Sequence, residues 1–206
     1  MVTVEADAAS VEQRLGAGRL ACPGCSGVLR GWGYARSRVL RGRDGLLWTR
    51  PRRSRCSGCG VTHVLLPVAL LLRRADAAVV IGSALAAKAL GAGWRRIAAL
   101  LERPAQTVRG WLRRFAERVE AVRELFTVWL RALAVDPVMP GPAGSRWADA
   151  LAAVEAAAVA AAGRFGIPVV SLWELAVAVS GGRLLAPGWP PSRSTRVDPD
   201  AAAILA

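Results

Sequence analysis

Two apolar stripes at helical spacing form the clearest pattern in this chain. In each stripe, apolar residues recur at positions i, i+3, i+4 and i+7, which predicts a helix with one buried face. The first stripe comprises Trp94, Ile97, Ala98 and Leu101, and the second comprises Val108, Trp111, Leu112 and Phe115. Only a short break around Glu102, Arg103 and Pro104 separates them. Two short amphipathic helices joined in this way predict a helix-turn-helix.

The apolar periodicity continues beyond the second stripe and predicts that the second helix runs on toward Ala134. The continuing positions are spaced alternately by four and three residues: Phe115, Val119, Val122, Phe126, Trp129 and Leu133. Such a seam packs either on other helices of the same chain or on a second copy. Packing within the chain is favoured, and a homodimer through residues 115–133 stays open.

The remaining pattern divides the chain into five parts. Residues 1–20 are expected to be a flexible leader, and short strand-like runs with turn residues between them fill residues 21–68. The helix-turn-helix with its extended last helix occupies residues 75–135, after a first helix over residues 76–90. A C-terminal helical segment spans residues 145–185, where Ser171 and Glu174 form a capping box. Residues 186–206 are expected to be an irregular tail.

The cysteines form two Cys-x-x-Cys pairs, Cys22 with Cys25 and Cys56 with Cys59, separated by thirty residues. Two intervening residues let both sulfurs of a pair reach one ion, and two pairs complete the four-thiolate shell of structural Zn²⁺. A redox site and disulfides are weaker alternatives, because neither a βαβ pattern nor a secretory leader accompanies these cysteines. His63 is interpreted as a strand residue, since four ligands already suffice. The predicted fold is mainly α with a small β zinc ribbon at the N-terminus.

Positive charge is concentrated in the first two thirds of the chain. The net charge of +13 divides into +9 over residues 1–75, +5 over residues 76–135 and −1 over residues 136–206. A basic surface of this kind favours nucleic acid over an anionic membrane as the partner. No apolar run reaches the roughly 18–20 uncharged residues of a membrane span. We therefore expect double-stranded DNA as the partner and a cytoplasmic, nucleoid-associated location.

Burial of the second stripe turns the polar side chains of the same helix outward, where they can enter a major groove. The predicted base-reading residues are Gln106, Thr107, Arg109, Arg113 and Arg114. Phosphate contacts are predicted for arginines of the β part: Arg36, Arg38, Arg41, Arg43, Arg52 and Arg53. The alternative is an ordinary helical hairpin with a solvated charged face. Trp32, Tyr34 and Trp48 lie among these arginines and either stack on bases or fill the thin β core.

These motifs carry a resemblance to proteins of mobile elements. The segments Cys22-Pro-Gly-Cys25 and Arg52-Arg-Ser-Arg-Cys56-Ser-Gly-Cys59, followed by a helix-turn-helix, resemble the N-terminal part of bacterial insertion-sequence transposases. The chain is more similar still to an actinobacterial family with a transposase-type zinc ribbon and a helix-turn-helix, often found near mobile elements. That similarity also includes the strand from Thr62 to Pro67 and the C-terminal Trp173-Glu174-Leu. It spans about residues 20–185 and implies DNA binding.

The sequence shows none of the residue sets that known catalytic sites require. A transposase would need three metal-binding carboxylates on an RNase-H-like sheet, but the late acidic residues fall in predicted linker, helices and tail. These residues are Asp136, Asp149, Glu155, Glu174, Asp198 and Asp200. Neither a Walker glycine loop nor a Ser-His-Asp set is present. We expect a mobile-element-associated or regulatory DNA-binding protein and not an enzyme. The alternatives are a truncated, inactive transposase, a module that binds the transcription machinery, and RNA binding through the three aromatics.

Overall fold

The chain is mostly helical, with a small β part at its N-terminus. A computed structural model describes residues 1–167, 169 and 171–189 of the 206 residues. Within this part there are seven helices and six short strands, and every strand lies before residue 68. The predicted combination of a mainly α chain with a small N-terminal β part is confirmed. Most of the predicted irregular tail, residues 190–206, lies outside the described residues, as do Asp198 and Asp200.

The strands form a mixed four-stranded sheet and a separate hairpin. Their bounds are β1 Val2–Val4, β2 Leu29–Tyr34, β3 Arg38–Arg41, β4 Leu46–Thr49, β5 Arg52–Cys56 and β6 Thr62–Pro67. The order in the sheet is β1-β6-β5-β2, with β1 parallel to β6 and the other pairs antiparallel. Strands β3 and β4 form a two-stranded antiparallel hairpin.

Residues 1–20, expected from the sequence to be a flexible leader, contain a strand and a helix in the structure. Strand β1 pairs with β6, and helix α1 (Ala8–Gly16) begins at Asp7, whose carboxylate accepts a hydrogen bond from the Ser10 amide at 2.8 Å. Side chains from both elements are buried in one small core with residues of the cysteine region: Val4, Val11, Leu15, Leu20, Cys22, Leu29, Cys56 and Leu65. The segment is ordered because the β part is too thin to bury its apolar face alone.

The remaining helices build the main core. Their bounds are α2 Ala78–Ala89, α3 Trp94–Leu100, α4 Ala105–Ala116, α5 Val119–Leu133, α6 Arg146–Phe165 and α7 Leu172–Ser180. Both predicted stripes face this core, with Trp94 and Leu101 partly buried and the other stripe residues buried. Helices α3 and α4 are therefore the two short amphipathic helices that the periodicity predicts. No side chain caps α4, which begins after Pro104.

The prediction of one continuous helix to Ala134 is wrong, because the helix breaks between α4 and α5. At the break, Arg118 has φ −137° and ψ 14°, outside the helical region. All seam residues from Phe115 to Leu133 nevertheless remain buried in the main core of this chain. A break lets α5 change direction and lie along α6, while the apolar period continues across it. A homodimer through residues 115–133 would therefore need side chains other than this seam.

The C-terminal segment closes the helical core. Ser171 Oγ caps α7 by accepting a hydrogen bond from the Glu174 amide at 3.5 Å, as the capping box predicts. Helices α6 and α7 both end at glycines in the left-handed conformation, Gly166 and Gly181. The indole of Trp173 lies directly on α2 at Gly82, where a Cβ atom would come within 2.0 Å of the ring.

None of the described helices combines the length and apolarity that crossing a bilayer requires.

Candidate metal centre and nucleic-acid interface

The β sheet brings the two cysteine pairs together. Cys22 and Cys25 lie in the turn before β2, Cys56 is the last residue of β5, and Cys59 lies in the turn between β5 and β6. Because β2 and β5 are antiparallel neighbours with Leu29 opposite Cys56, the two turns meet at the same end of the sheet. Long-range strand pairing thus joins cysteines that are far apart in the sequence.

The four sulfur atoms lie in one cluster. All four Sγ atoms lie within 4.8 Å of one another, with 3.8 Å between Cys22 and Cys59 and 3.4 Å between Cys25 and Cys56. A tetrahedral Zn²⁺ site with Zn–S bonds of about 2.3 Å places its sulfur atoms about 3.8 Å apart. The four cysteines are free thiols, two of them buried and two exposed. The cluster therefore fits a single metal ion, and four thiolates are the donor set of structural zinc.

Electrostatics within the cluster also favour a cation. The backbone amides of Cys59 and Gly58 point at the Cys56 sulfur and lower the pKa of that thiol to about 6. The Gly58 nitrogen lies 3.3 Å from the Cys56 sulfur. The Val61 amide lowers the pKa of Cys59, but hydrogen bonding to Cys25 and burial outweigh it and raise the value to about 11. Thiolates at these distances repel one another, so full ionisation of the cluster requires a positive ion.

His63 lies in β6, as predicted, but the structure also gives it a contact that the sequence analysis missed. Its Nε2 atom lies 3.4 Å from the Cys22 sulfur, and its Nδ1 atom lies 3.0 Å from the amino group of Met1. Burial and the nearby amino group lower the pKa of His63, which keeps the imidazole neutral at pH 7. A neutral imidazole that donates to a thiolate orients the ligand without replacing it. The only sequence signal for this role was its position four residues after Cys59.

The predicted base-reading residues lie on α4, and three of them form an exposed row. Gln106, Arg109 and Arg113 are exposed, whereas Thr107 and Arg114 are half-buried. The Arg114 guanidinium donates to the Gly110 carbonyl oxygen one turn earlier at 3.0 Å. The opposite face of α4 is buried in the main core. Gln106, Arg109 and Arg113 are thus the exposed members of the set, and the Arg109 guanidinium also lies 5.8 Å from the centre of the Trp94 ring.

The six predicted phosphate-binding arginines divide into two groups. Arg36 and Arg38 are exposed at and before the start of β3, and Arg53 is half-buried in β5. The other three contact groups of the protein itself. Arg41 pairs with Asp76, Arg52 pairs with Glu12 at 2.6 Å, and Arg43 donates to the Ser83 hydroxyl at 2.9 Å. Arg41 and Arg52 therefore have structural partners that the sequence analysis did not foresee.

The three aromatics of the β part are exposed, and this excludes the interpretation that they fill its core. Trp32, Tyr34 and Trp48 are 50%, 49% and 76% exposed. Their neighbours include arginines that stack on the rings. The small core of the β part is built instead from aliphatic side chains and two cysteines.

Comparison of the chain with known protein families, with curated proteins and with solved structures found no match in any of the three.

Proposed function

We propose that Cys22, Cys25, Cys56 and Cys59 bind one Zn²⁺ ion whose role is structural. The sulfur distances described above support this assignment, as does the chemistry of four thiolates, which selects zinc among common cellular ions. When bound, the ion supplies a closed cross-link between the turn before β2 and the turn after β5. The small β part then forms a zinc ribbon, as the resemblance to transposase N-terminal regions implies.

We propose further that the protein binds double-stranded DNA through α4. The observation that carries this proposal is the exposed row of Gln106, Arg109 and Arg113 on a helix whose opposite face is fully packed. Arginine pairs with guanine and glutamine with adenine through two hydrogen bonds in the major groove. Exposed arginines of the β part, Arg36 and Arg38 among them, contact phosphates and so position the protein without selecting sequence.

The net charge and its distribution support the same proposal. The first 135 residues carry a net charge of +14, and residues 136–206 carry −1, which together give the total of +13. A protein that neutralises about six phosphates loses affinity with salt at a log–log slope of about −5. We propose a regulatory or mobile-element-associated role for DNA binding.

The test combines selection of bound sequences from a random duplex pool with a charge-matched pair of variants. The test variant is Arg109→Ala with Arg113→Ala, and the control is Arg131→Ala with Arg164→Ala, which removes the same charge from exposed positions on α5 and α6. Loss of a base-reading arginine costs at least about fivefold in affinity and relaxes the selected sequence. Equal affinity and sequence preference in both variants would refute base recognition by α4 and favour a protein-interaction module.

A further inference from the structure

Three aromatic side chains of the β part remain outside every core of the molecule. We call Trp32 and Tyr34 on β2 and Trp48 on β4 the aromatic strip. In the part of the chain that the structure describes, the other tryptophans and the phenylalanines are buried or half-buried. Aromatic rings are costly to leave in water, since each exposes a large apolar area. Their exposure is therefore not explained by packing.

The backbone of β2 is irregular where it carries Trp32 and Tyr34. Strand β2 is an edge strand, and its pairing with β5 shifts register between Gly31 and Tyr34. Gly33 within this bulge has φ +80°, a conformation that favours glycine. Bulges re-aim side chains and are common beside functional sites. Here the bulge accompanies the outward exposure of both Trp32 and Tyr34.

The members of the strip lie at two depressions of the β part. Trp32 and Tyr34 are two residues apart on one strand. Tyr34 and Trp48 line a single cavity of about 270 Å³, whose wall also includes Arg50 and Arg52. A second, shallower depression beside Trp32 is lined by Arg30 and Arg55. Aromatic rings and basic side chains thus alternate around the β2 edge, with Trp32 beside Arg30 and Arg55, and with Tyr34 and Trp48 beside Arg50 and Arg52.

Arginines stack directly on two of the rings. The Arg55 guanidinium lies 5.0 Å from the centre of the Trp32 ring, and those of Arg52 and Arg50 lie 4.6 and 5.0 Å from the centre of the Tyr34 ring. Two acidic groups lie beside the strip. Glu12 pairs with Arg52 and accepts a hydrogen bond from the Tyr34 hydroxyl at 3.5 Å, and Glu5 lines the same cavity and pairs with Arg14. The surface therefore combines exposed aromatic rings with positively charged guanidinium groups.

We propose that the aromatic strip binds unpaired bases of a single-stranded nucleic acid. Bases stack on the exposed rings, and the arginines hold the phosphates between them, as in sequence-tolerant single-strand binding. A duplex does not offer this chemistry, because its bases are already stacked on each other. Leu46 and Leu47 are also exposed on β4, but the interleaved arginines favour a polyanion over an apolar protein surface. This site is separate from the proposed duplex contacts of α4.

The test measures the affinity of the full chain for fluorescently labelled oligo(dT) and oligo(rU) and for a duplex of equal length. The principal variants are Trp48→Ala, Trp48→Leu and Trp32→Ala; Val159→Ala, exposed on α6, is the matched control. Circular dichroism and metal content verify that each variant folds. Stacking of a base on an aromatic ring is worth at least about fivefold in affinity when the ring is removed. We therefore expect each Trp→Ala variant to weaken single-strand binding at least fivefold, with duplex binding and the Val159→Ala variant unchanged.

Several outcomes would contradict single-strand binding by the aromatic strip. Absence of single-strand binding by the wild-type chain, or Trp→Ala variants that bind single-stranded oligonucleotides like wild type, would overturn the proposal. Retention of single-strand affinity by Trp48→Leu would show that apolar bulk suffices and that Trp48 does not stack. A preference for oligo(dT) or for oligo(rU) would identify DNA or RNA as the source of the strand. The Arg109 and Arg113 variants test duplex recognition independently, so failure of one site leaves the other open to measurement.

Discussion

Asp76 and Arg103 form a buried ion pair that joins the β part to the proposed DNA-binding helices. Arg103 Nε donates to Asp76 Oδ1 at 2.7 Å, and the Asp76 side chain is only 3% exposed. Arg41 of β3 donates to both oxygens of the same carboxylate, at 3.0 and 2.7 Å. Arg103 also donates to the Gly42 carbonyl oxygen at 2.9 Å. One carboxylate therefore connects β3, the start of α2 and the turn before α4.

The first prediction concerns this carboxylate. Asp76→Asn removes its charge and leaves two arginines without a counter-ion, one of them largely buried, so we expect the free energy of unfolding to fall by about 3 kcal/mol. Arg123→Ala is the control, since it breaks an exposed pair with Glu120, and solvent-exposed ion pairs contribute little to stability. Urea denaturation followed by circular dichroism measures both. Equal losses in the two variants would show that the buried pair does not hold these elements together.

The second prediction concerns metal removal. Elemental analysis should find one zinc per chain, and a strong chelator should unfold the β part because structural zinc contributes on the order of 10 kcal/mol to such small modules. Acidification should also release the ion, since the sulfur ligands bind protons as the pH falls. Cys25→Ser should reproduce the chelator's effect. A chain that keeps its fold and its near-ultraviolet spectrum after complete metal removal would contradict the structural role.

The third prediction tests the space around the cluster without removing a ligand. A Cβ atom on Gly27 would lie 2.9 Å from the Cys56 sulfur and 3.3 Å from the Cys25 sulfur. Gly27→Ala should therefore displace these ligands and weaken zinc affinity about tenfold or more, as changes next to ligands do. Gly24→Ala in the neighbouring turn is the control, because its Cβ would meet only the Cys22 sulfur at 3.9 Å. Competition with a chromophoric chelator measures the two affinities, and indistinguishable values would refute the crowding.

The fourth prediction concerns the contact between α2 and α7. Gly82→Ala places a methyl group within 2.0 Å of the Trp173 ring and should cost about 2 kcal/mol or more in stability. In a Trp173→Ala background the space is free, and the same substitution should stabilise α2 by up to about 1 kcal/mol through helix propensity. A double-mutant cycle from urea denaturation measures this coupling. Additive effects would mean that Gly82 and Trp173 do not touch.

The fifth prediction concerns pH. Burial raises the pKa of Glu174 above its ordinary value, so the folded state binds this proton more tightly than the unfolded state does. The carboxylate therefore destabilises the fold as the pH rises through the two pKa values. Glu174→Gln should make the protein more stable at pH 7 and reduce the fall in stability between pH 4 and neutrality. Glu155→Gln, which removes a carboxylate from an exposed position of α6, is the control, and urea unfolding across the pH range measures both variants.

Structural features formed by residues that are close in the sequence could be predicted from the sequence. The cysteine spacing predicted a four-sulfur cluster, and the period of 3.6 predicted the buried faces of α3 and α4. The cap at Ser171 was equally readable, because a capping hydrogen bond spans only three residues. The helix faces, the cap and the two sulfurs within each Cys-x-x-Cys pair depend on spacing along the chain, which the sequence contains directly. The meeting of the two pairs depends on strand pairing.

Tertiary structure alone decided the features that depend on which surfaces meet. The sequence by itself determined the sulfur ligands and the apolar stripes, but an apolar period cannot reveal the break at Arg118, since both segments bury the same stripe. Packing of β1 on β6 ordered residues that look polar and unstructured in isolation. Asp76 is an ordinary helix-flanking residue in sequence, yet the fold buries it between Arg41 and Arg103. Burial and long-range pairing arise only when distant segments exclude water together, and local sequence does not specify which segments do so.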